Sequence, residues 1–447
     1  MIAAQRSTAG YILAAALALV GTGRVGAQSG DAPSDPRTVI HAGALLAKPG
    51  SAPVSDVSII VENGLILEVR AGFVTAEELG EGADVEIVDL RASFVMPGLI
   101  DAHTHVTSEY SPSVRLDRLQ STDADNALRG SVYAMRTLLA GFTTIRNVGS
   151  SGDAAFALRD AINQGLIPGP RILLAGESIT PTGGHSDATL GYREGLFDVP
   201  DAIDGICDGP AACRRAVRSQ VKRGADLIKL TATGGVLSNT AAGTEQQFFA
   251  DELEAIVATG HLLGRKVAAH AHGTRGINAA LRAGVDSIEH GTYLDDESIQ
   301  LFRKTRAFLV PTVLAGKTVE ERARIAGYFP PSVAKKALEI GPLLQAALAR
   351  AHKGGVRIAF GTDSGVSEHG ENGREFALMV DAGMNEMEVL AAATINAAQL
   401  LGLDDEIGLV EAGWTADLIA TDRNPLIDIT ELQRVRFVMK GGEIHKR

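Results

Sequence analysis

The sequence changes character at residues 97–105, which read Pro97-Gly98-Leu99-Ile100-Asp101-Ala102-His103-Thr104-His105. Side chains two residues apart in a β-strand point the same way, so His103 and His105 can bind one metal ion together. A His-x-His pair taken alone is also compatible with histidines that line a barrel or lie on the surface. Its position directly after an apolar strand, where a β-rich region ends, favours a metal site at the start of a new domain.

From Met96 to about Leu403, apolar strand-like runs alternate with helix-like segments. The predicted strands are Leu99–His105, Thr143–Val148, Arg171–Ser178, Asp226–Thr231, Lys266–His270, Ser287–His290, Phe308–Thr312 and Arg357–Asp363. Eight strands alternating with helices favour an α/β fold with a parallel (β/α)8 TIM-like barrel over an open sheet. The connection Ala315–Lys353 is longer than one helix needs and predicts two helices around Pro330-Pro331.

Both chain ends have a different, β-rich pattern. Residues Thr38–Pro97 contain three short β-branched runs, and Asn63-Gly64 between apolar runs is a strong hairpin signal. The same texture returns in Asp417–Thr421, Arg434–Lys440 and Glu443–His445. The two ends therefore predict one small β-sandwich domain with the barrel inserted between them. The predicted boundaries are 28–97 and 404–447 for the sandwich and 98–403 for the barrel.

The first 27 residues have the pattern of a cleaved secretory signal. Arg6 gives a positive start, Tyr11–Val20 form the apolar centre, and Val25-Gly26-Ala27 provide a small-residue exit. The apolar run is shorter than the ~20 residues that a membrane span needs. A frayed N-terminus or a retained anchor is the alternative. We therefore expect a secreted or periplasmic protein without a membrane anchor after cleavage.

The net charge argues against nucleic acid as a partner, and the cysteine content argues against a thiolate metal site. The net charge is −12, so there is no basic surface for nucleic acid. The two cysteines, Cys207 and Cys213, lie close together in a Gly/Asp/Pro-rich stretch. In an oxidising compartment such a pair predicts a local disulfide rather than a thiolate metal site, with free thiols as the alternative.

The other candidate residues lie at or just past the C-terminal ends of predicted strands. Barrels build active sites on that face, so positions distant in sequence converge there. Lys229 is one of them, within Leu227-Ile228-Lys229-Leu230-Thr231. A lysine at the inner end of an apolar strand is costly to bury unless it is paired or neutralised. It predicts either a contact with a substrate anion or, beside histidines, an N-carboxylated lysine that bridges two metals.

Four histidines extend the set. His270 and His272 share the strand that ends His270-Ala271-His272-Gly273, and His290 follows one strand later in Glu289-His290-Gly291. We expect His270 and His290 to complete a second metal site and His272 to contact substrate or stabilise an oxyanion. Alternatively, His272 is the ligand and His270 is not. His185, in the loop Thr182-Gly183-Gly184-His185, is predicted to polarise a carbonyl or bind a carboxylate, unless it is an ordinary loop histidine.

Asp363 lies in Gly361-Thr362-Asp363-Ser364-Gly365, at the end of the eighth strand. A carboxylate at this point can bind a metal, accept a proton from the attacking water and deliver that proton to the leaving group. Taken alone, the residue could equally cap the next helix or turn. The histidines and the lysine on the preceding strand ends favour the catalytic interpretation.

These residues closely resemble the amidohydrolase superfamily, in its binuclear metal branch with a carboxylated lysine. The resemblance covers nearly the whole mature chain. The motifs at 182–185, 233–236, 270–273 and 289–291 are similar to those of the imidazolonepropionase-like and Xaa-Pro-dipeptidase-like group, which includes metallo-carboxypeptidases. The overall likeness extends to bacterial amidohydrolases that cut ochratoxin A into ochratoxin α and phenylalanine.

The resemblance implies two divalent metal ions, zinc above all. The buried α-metal would be bound by His103, His105 and Asp363, the β-metal by His270 and His290, and the carboxylated lysine would bridge both. It also implies a small-molecule amide substrate with a free carboxylate. A homo-oligomer, an octamer in the ochratoxin-hydrolysing relatives, is expected as well.

The resulting hypothesis is an amidohydrolase that releases a C-terminal amino acid from an N-acyl amino acid or dipeptide, ochratoxin A included. A metal-bridging hydroxide would attack, with Asp363 as proton shuttle and His272 and His185 assisting. The alternative is cyclic amide or imide hydrolysis of the imidazolonepropionase-like kind. A deaminase often needs no bridging lysine, so Lys229 argues against it. A non-enzymatic metal-binding protein should lack a ligand, and none is missing.

Overall fold

The computed structural model describes residues 37–80, 84–238 and 243–447. The predicted signal over residues 1–27 lies outside the described residues and stays a prediction. Within the described ranges, no helix combines the length and the apolar character that crossing a membrane requires.

The described residues contain fifteen β-strands. Their bounds are β1 Arg37–Leu45, β2 Val54–Glu62, β3 Leu65–Ala71, β4 Val85–Pro97, β5 Leu99–Thr104, β6 Phe142–Asn147, β7 Arg171–Leu174, β8 Leu227–Thr231, β9 Lys266–Ala271, β10 Ser287–His290, β11 Phe308–Val310, β12 Arg357–Ile358, β13 Leu418–Thr421, β14 Phe437–Lys440 and β15 Glu443–Lys446.

Twelve α-helices connect and cover these strands in the same described ranges. Their bounds are α1 Val114–Gln120, α2 Asp123–Leu139, α3 Ala154–Asn163, α4 Pro210–Lys222, α5 Ala250–Leu262, α6 Thr274–Ala283, α7 Asp296–Thr305, α8 Val313–Ala323, α9 Pro331–Lys353, α10 Arg374–Asp381, α11 Glu386–Ala391 and α12 Ala397–Leu401. Short 3-10 helices lie at Glu77–Leu79 and Ile429–Gln433, and a π-helical turn lies at Ala392–Asn396.

One seven-stranded sheet contains both ends of the described chain, in the order β15-β14-β13-β4-β1-β2-β3. The long strand β4 joins the two groups, because it pairs in parallel with β1 and its last residues pair antiparallel with β13, Pro97 opposite Leu418. Hydrogen bonds thus join both chain ends in one sheet, and its β3 edge returns to the residues before β13 through the bond from Ile66 N to Trp414 O. Both groups of strands still share one apolar core, which includes Ile40, Ile59, Val95, Leu418 and Phe437.

The predicted hairpin turn lies between β2 and β3. Asn63 and Gly64 have left-handed φ angles of 51° and 78°. A type I′ turn requires positive φ at both central positions, which explains the Asn-Gly pair. A Cβ on Gly64 would also lie 2.8 Å from the carbonyl oxygen of Gly441, so glycine is needed for the close approach of the C-terminal strands.

Eight parallel strands, β5 to β12, form the rest of the fold. They pair in the orders β5-β6-β7 and β12-β11-β10-β9-β8. Backbone hydrogen bonds connect the two groups at both sides: Ile179 N donates to Lys229 O over 2.8 Å, and Asp363 N donates to His103 O over 2.7 Å. With helices between the strands, this arrangement fits a TIM-barrel-like domain beside a sheet domain.

Three of the parallel strands end at least two residues earlier than the sequence predicted. β7 ends at Leu174, β11 at Val310 and β12 at Ile358. Beyond β11 and β12 the chain adopts left-handed φ angles at Thr312 (50°) and Asp363 (60°), which a regular strand cannot contain. The apolar pattern continues past these points because the residues stay buried, and beyond β12 single backbone hydrogen bonds still join the chain to β5, as from Ala102 N to Phe360 O over 2.9 Å.

The long connection after β11 forms the two helices that the sequence predicted, α8 and α9. Pro331 is the first residue of α9, where its missing N–H has no intrahelical partner to lose. Val319 on α8 and Ile340 on α9 pack against Val236 from the loop after β8.

The predicted disulfide joins Cys207 and Cys213, whose Cα atoms are 4.9 Å apart. Both residues are buried, and Cys213 lies on α4. The bridge ties the loop after β7 to the helix that follows it.

Candidate active site

A cavity of about 260 Å³ lies at the C-terminal ends of the parallel strands. The side chains that the sequence predicted for the site all line it: His103, His105, His185, Lys229, His270, His272, His290 and Asp363. They come from six different strand ends or the loops that follow them. Their roles remain predictions, but the structure brings every one of them to the same place.

His103, His105 and Asp363 form the first candidate ligand group. The Nε2 atoms of His103 and His105 lie 3.5 and 3.3 Å from Asp363 Oδ1. That oxygen is buried and has no hydrogen-bond partner among the described residues. A buried, unsatisfied carboxylate oxygen facing two imidazole nitrogens is the geometry that a divalent cation would satisfy.

His270, His272 and His290 form the second candidate group, with ligand atoms within 4.8 Å of one another. His272 and His290 each use Nδ1 for a 2.7 Å hydrogen bond with a threonine hydroxyl, Thr292 and Thr312 respectively. Their Nε2 atoms are thereby left for the cavity. His270 differs, because its Nε2 lies 3.4 Å from the carbonyl oxygen of Gly234 and its Nδ1 is left instead. The geometry is compatible with either His270 or His272 as the partner of His290.

Lys229 lies on β8 and is only 4% exposed. Its amine makes no hydrogen bond or ion pair with any residue that the structure describes. Burial lowers the pKa of Lys229 to about 8, so a substantial fraction of the amine is neutral near neutral pH. A neutral amine is the form that can react with carbon dioxide to give a carbamate.

The buried histidines are neutral in this environment. Burial is the main cause that lowers the pKa of His103 to about 4 and of His272 to about 3. The pKa values of His270 and His290 lie well below the ordinary value for the same reason. Because neutral imidazole is the form that binds a metal, these rings need not lose a proton first.

Two of the predicted ligands occupy strained backbone positions. His290 and Asp363 have left-handed φ angles of 72° and 60°, and neither is a glycine. Such conformations cost of order 1–3 kcal/mol each and persist where the surrounding structure enforces them, often at functional sites. The strain turns both side chains into the cavity at the point where each strand ends.

His185 lies in the loop after β7 and stacks on His270, with ring centroids 4.2 Å apart. Its Nδ1 shares a 2.7 Å hydrogen bond with the hydroxyl of Ser238. A Cβ on Gly235 would lie 2.2 Å from the His185 ring, so the second glycine of Thr233-Gly234-Gly235-Val236 is required for the ring to fit. His185 therefore lines the same cavity as the other predicted site residues.

Several buried polar residues around the cavity had no assigned role in the sequence. Arg146 and Glu289 form a buried ion pair of 2.8 Å, and the other oxygen of Glu289 contacts His103. Glu375 is fully buried and accepts hydrogen bonds from the amides of Val313 and Leu314 at the start of α8. An arginine inside the apolar strand 142–147 was the signal that could have pointed to this network.

The chain from residue 94 to residue 445 matches the model of the amidohydrolase family. The chain belongs to the amidohydrolase family. The paired His-x-His, the lysine, the two further histidines and the aspartate thus occupy one cavity of a family member, as the sequence resemblance implied.

Known amidohydrolases of this kind are similar to the chain over most of its length. An ochratoxinase from Aspergillus niger is 31% identical over 443 residues, 92% of this chain and 86% of the relative; its crystal structure gives a TM-score of 0.78 at 30% identity, covering 92% and 96% of the two chains. A Xaa-Pro dipeptidase crystallised with methionine in its active site gives a TM-score of 0.87 at 40% identity, covering 92% and 100%. An imidazolonepropionase from Mesorhizobium japonicum is 26% identical over 409 residues, 82% of this chain and 86% of the relative.

The family, the ochratoxinase and the dipeptidase together identify the chain as a hydrolytic enzyme that acts on amide bonds.

Proposed function

We propose that this amidohydrolase uses two divalent metal ions, Zn²⁺ in the first place, to release a C-terminal amino acid from N-acyl amino acids or dipeptides. The observation that carries the proposal is the meeting of two ligand groups and a buried, unpaired lysine in one cavity. The unsatisfied Asp363 Oδ1 and the neutral histidines fit a metal centre. The likeness to ochratoxinase makes ochratoxin A one substrate to test.

In this proposal His103, His105 and Asp363 would hold the first ion, and His270 and His290 would hold the second. Lys229, as its N-carboxylate, would supply oxygen ligands to them. Carboxylation would give the buried lysine the negative charge that the cations need beside it, where a bare ammonium would repel them. His272 stays the alternative ligand to His270.

Metal ions bound here would polarise the amide carbonyl and lower the pKa of the attacking water. Asp363 accepts the proton of that water and passes it to the amide nitrogen, so that the amine leaves as a neutral group. Although burial alone would raise it, His103 and His105 hold the pKa of Asp363 below its usual range, which keeps the carboxylate ready to accept. When the hydroxyl of Thr292 donates to Nδ1 of His272, the ring carries its proton on Nε2 and can donate it in a hydrogen bond to the oxyanion.

The cavity walls indicate how a substrate would be oriented. When the hydroxyl of Ser238 donates to Nδ1 of His185, the ring carries its proton on Nε2 and can donate to a substrate carboxylate. Apolar side chains of the loop after β8 and of α8 and α9 line another part of the cavity: Val236, Leu237, Val319, Ile340 and Leu344. They favour an apolar acyl half.

A product assay tests the proposal directly. The purified enzyme is incubated with dipeptides, N-acyl amino acids, ochratoxin A and cyclic imides, and products and metal content are measured on the same sample. We expect release of the C-terminal amino acid, loss of activity after chelation and recovery with Zn²⁺. Turnover of cyclic imides alone would favour the imidazolonepropionase-like alternative, and release of no amino acid from any linear substrate would refute the carboxypeptidase proposal.

Replacing His185 by asparagine should raise KM about tenfold for substrates with a free carboxylate and change kcat little, because a hydrogen bond to a charged group is lost in ground and transition state alike. The measurement compares the same substrate with its carboxylate converted to a primary amide. Wild type and His185→Asn should then have the same kcat/KM for the capped compound. An equal loss for both compounds would show that His185 does not bind the carboxylate.

A further inference from the structure

A buried carboxylate lies directly behind the first ligand group. Glu289 has no exposed surface, and its Oε2 accepts a 2.7 Å hydrogen bond from Nδ1 of His103. A carboxylate accepts hydrogen bonds only, so Nδ1 of His103 carries the proton and Nε2 does not. The unprotonated Nε2 is the atom that faces Asp363.

Glu289 points the same way as Ser287, as alternate residues of a regular strand do, and the backbone of β10 changes conformation only at its last residue, His290. Neighbouring residues of a regular strand point to opposite faces. Here Glu289 contacts His103 across the strands, while the next residue, His290, also faces the cavity. The left-handed φ of 72° at His290 breaks the alternation and lets two successive side chains point inward.

Two further buried groups hold the carboxylate in place. Arg146 on β6, 3% exposed, donates from Nη2 to Glu289 Oε1 over 2.8 Å and from Nη1 to the hydroxyl of Ser287 over 3.1 Å. The Ser287 hydroxyl in turn donates to Glu289 Oε1. Oε1 of Glu289 thus accepts the hydrogen bonds that anchor the carboxylate, and Oε2 accepts the one from His103.

Apart from Asp363, which faces His105, the other histidines of the site have uncharged hydrogen-bond partners. Within the described residues, His105 contacts the carbonyl oxygen of Gly149, and His272 and His290 contact threonine hydroxyls. His185 contacts a serine hydroxyl and His270 a backbone carbonyl oxygen. His103 instead has the carboxylate of Glu289 at its Nδ1. A carboxylate holds an imidazole more strongly than an uncharged partner does and makes it a better electron donor.

We propose that Glu289, anchored by Arg146 and Ser287, is a positioning residue that fixes the tautomer and orientation of His103 and so sets the affinity of the first metal site. The inference rests on the proposed metal centre and not on the identity of the substrate. The affinities of the two metal sites would then depend on different contacts, because hydroxyls and a backbone carbonyl orient the histidines of the second ligand group.

The test is a Zn²⁺ competition titration against a chromophoric chelator, with no substrate present. In Glu289→Gln the neutral amide accepts the Nδ1 hydrogen bond more weakly and no longer compensates Arg146. One of the two metal equivalents should bind about 10–100-fold more weakly, and the other should keep its affinity within about threefold. Circular dichroism and the melting temperature establish that the variant is folded.

Glu375→Gln is the matched control, because it replaces another fully buried glutamate, one that holds the start of α8. It should keep both metal affinities. A folded Glu289→Gln with wild-type affinity for both ions, or a Glu375→Gln that weakens binding as much, would overturn the inference. A wild type that binds two ions but hydrolyses no linear amide would instead refute the carboxypeptidase proposal alone.

Ser287→Ala keeps the test decisive if Glu289→Gln does not fold. It removes one donor to Glu289 and leaves the Arg146 ion pair in place. The same metal equivalent should weaken by about fivefold, the value of one hydrogen bond. Unchanged binding in this variant, with Glu289→Gln unfolded, would also count against the inference.

Discussion

Replacing Asp363 by asparagine should lower kcat by about 10³-fold while most of the metal stays bound. Asparagine has nearly the same size and keeps one oxygen that can bind a cation, so the ligand function is only weakened. It cannot accept the proton of the attacking water at neutral pH, and it cannot return that proton to the departing amine. The loss should therefore fall on turnover.

Steady-state kinetics and metal content on the same preparation measure this prediction. Asp417→Asn is a suitable control, because Asp417 is equally buried but pairs with Arg171 outside the cavity lining. It should leave kcat within about twofold, since substitutions away from the reacting groups alter stability and not chemistry. If Asp363→Asn kept near-normal kcat with both metals present, the shuttle role would be wrong.

Replacing Lys229 by alanine should weaken metal binding by more than ~10²-fold and abolish most of the activity. Loss of a residue that only supports a ligand costs 10–100-fold, and Lys229 is proposed to bind both ions itself. The substitution also leaves empty the space that the lysine side chain occupied beside β8. A short carboxylate such as acetate can enter that space and supply the missing oxygens, so it should partly restore metal binding and turnover.

The matched control is Lys266→Ala, which removes a half-exposed lysine at the opposite end of the neighbouring strand β9. It should bind metal as the wild type does. Native mass spectrometry of the wild type should show the added mass of one carbon dioxide, absent from Lys229→Ala. A wild type without that mass and with two metals bound would leave Lys229 as a substrate-contacting amine.

The pH dependence of reconstitution gives a second readout of Lys229. Its pKa of about 8 is lowered by burial, and the neutral amine is the reactive form. Metal-free enzyme supplied with Zn²⁺ at a constant concentration of dissolved carbon dioxide should therefore regain activity faster as the pH is raised toward and past this value. Below it the rate should fall about tenfold for each unit of pH, as the neutral fraction does.

Much of the site could be predicted because strand geometry limits the directions in which side chains can point. His103 and His105 share a face by spacing alone, and the end of an apolar strand places Lys229 on the face where barrels carry their chemistry. The pair of glycines before Val236 was visible as a motif, although its reason, the room needed by the His185 ring, required coordinates.

Other features depend on backbone conformations that the pattern does not encode. In a regular strand Glu289 would point away from the face of His290, and only the left-handed φ at His290 brings both inward. Asp363 has a left-handed φ as well and so leaves the extended conformation that its apolar neighbours indicate. The similar texture of the two chain ends predicted that they meet in one β-domain, but nothing in the pattern showed that β4 was long enough to pair with strands from both ends.

The length of β4 also determines when the chain can finish folding. Its last residue, Pro97, pairs with Leu418, roughly 320 positions later. When the ribosome has made every barrel strand, the strand that pairs with the last residues of β4 is still missing. That edge of β4 therefore stays unpaired until β13 has been made. Contacts between such distant positions close late and slowly. For this enzyme, the synthesis of β13 and not the completion of the barrel strands sets the earliest moment at which the native sheet can form.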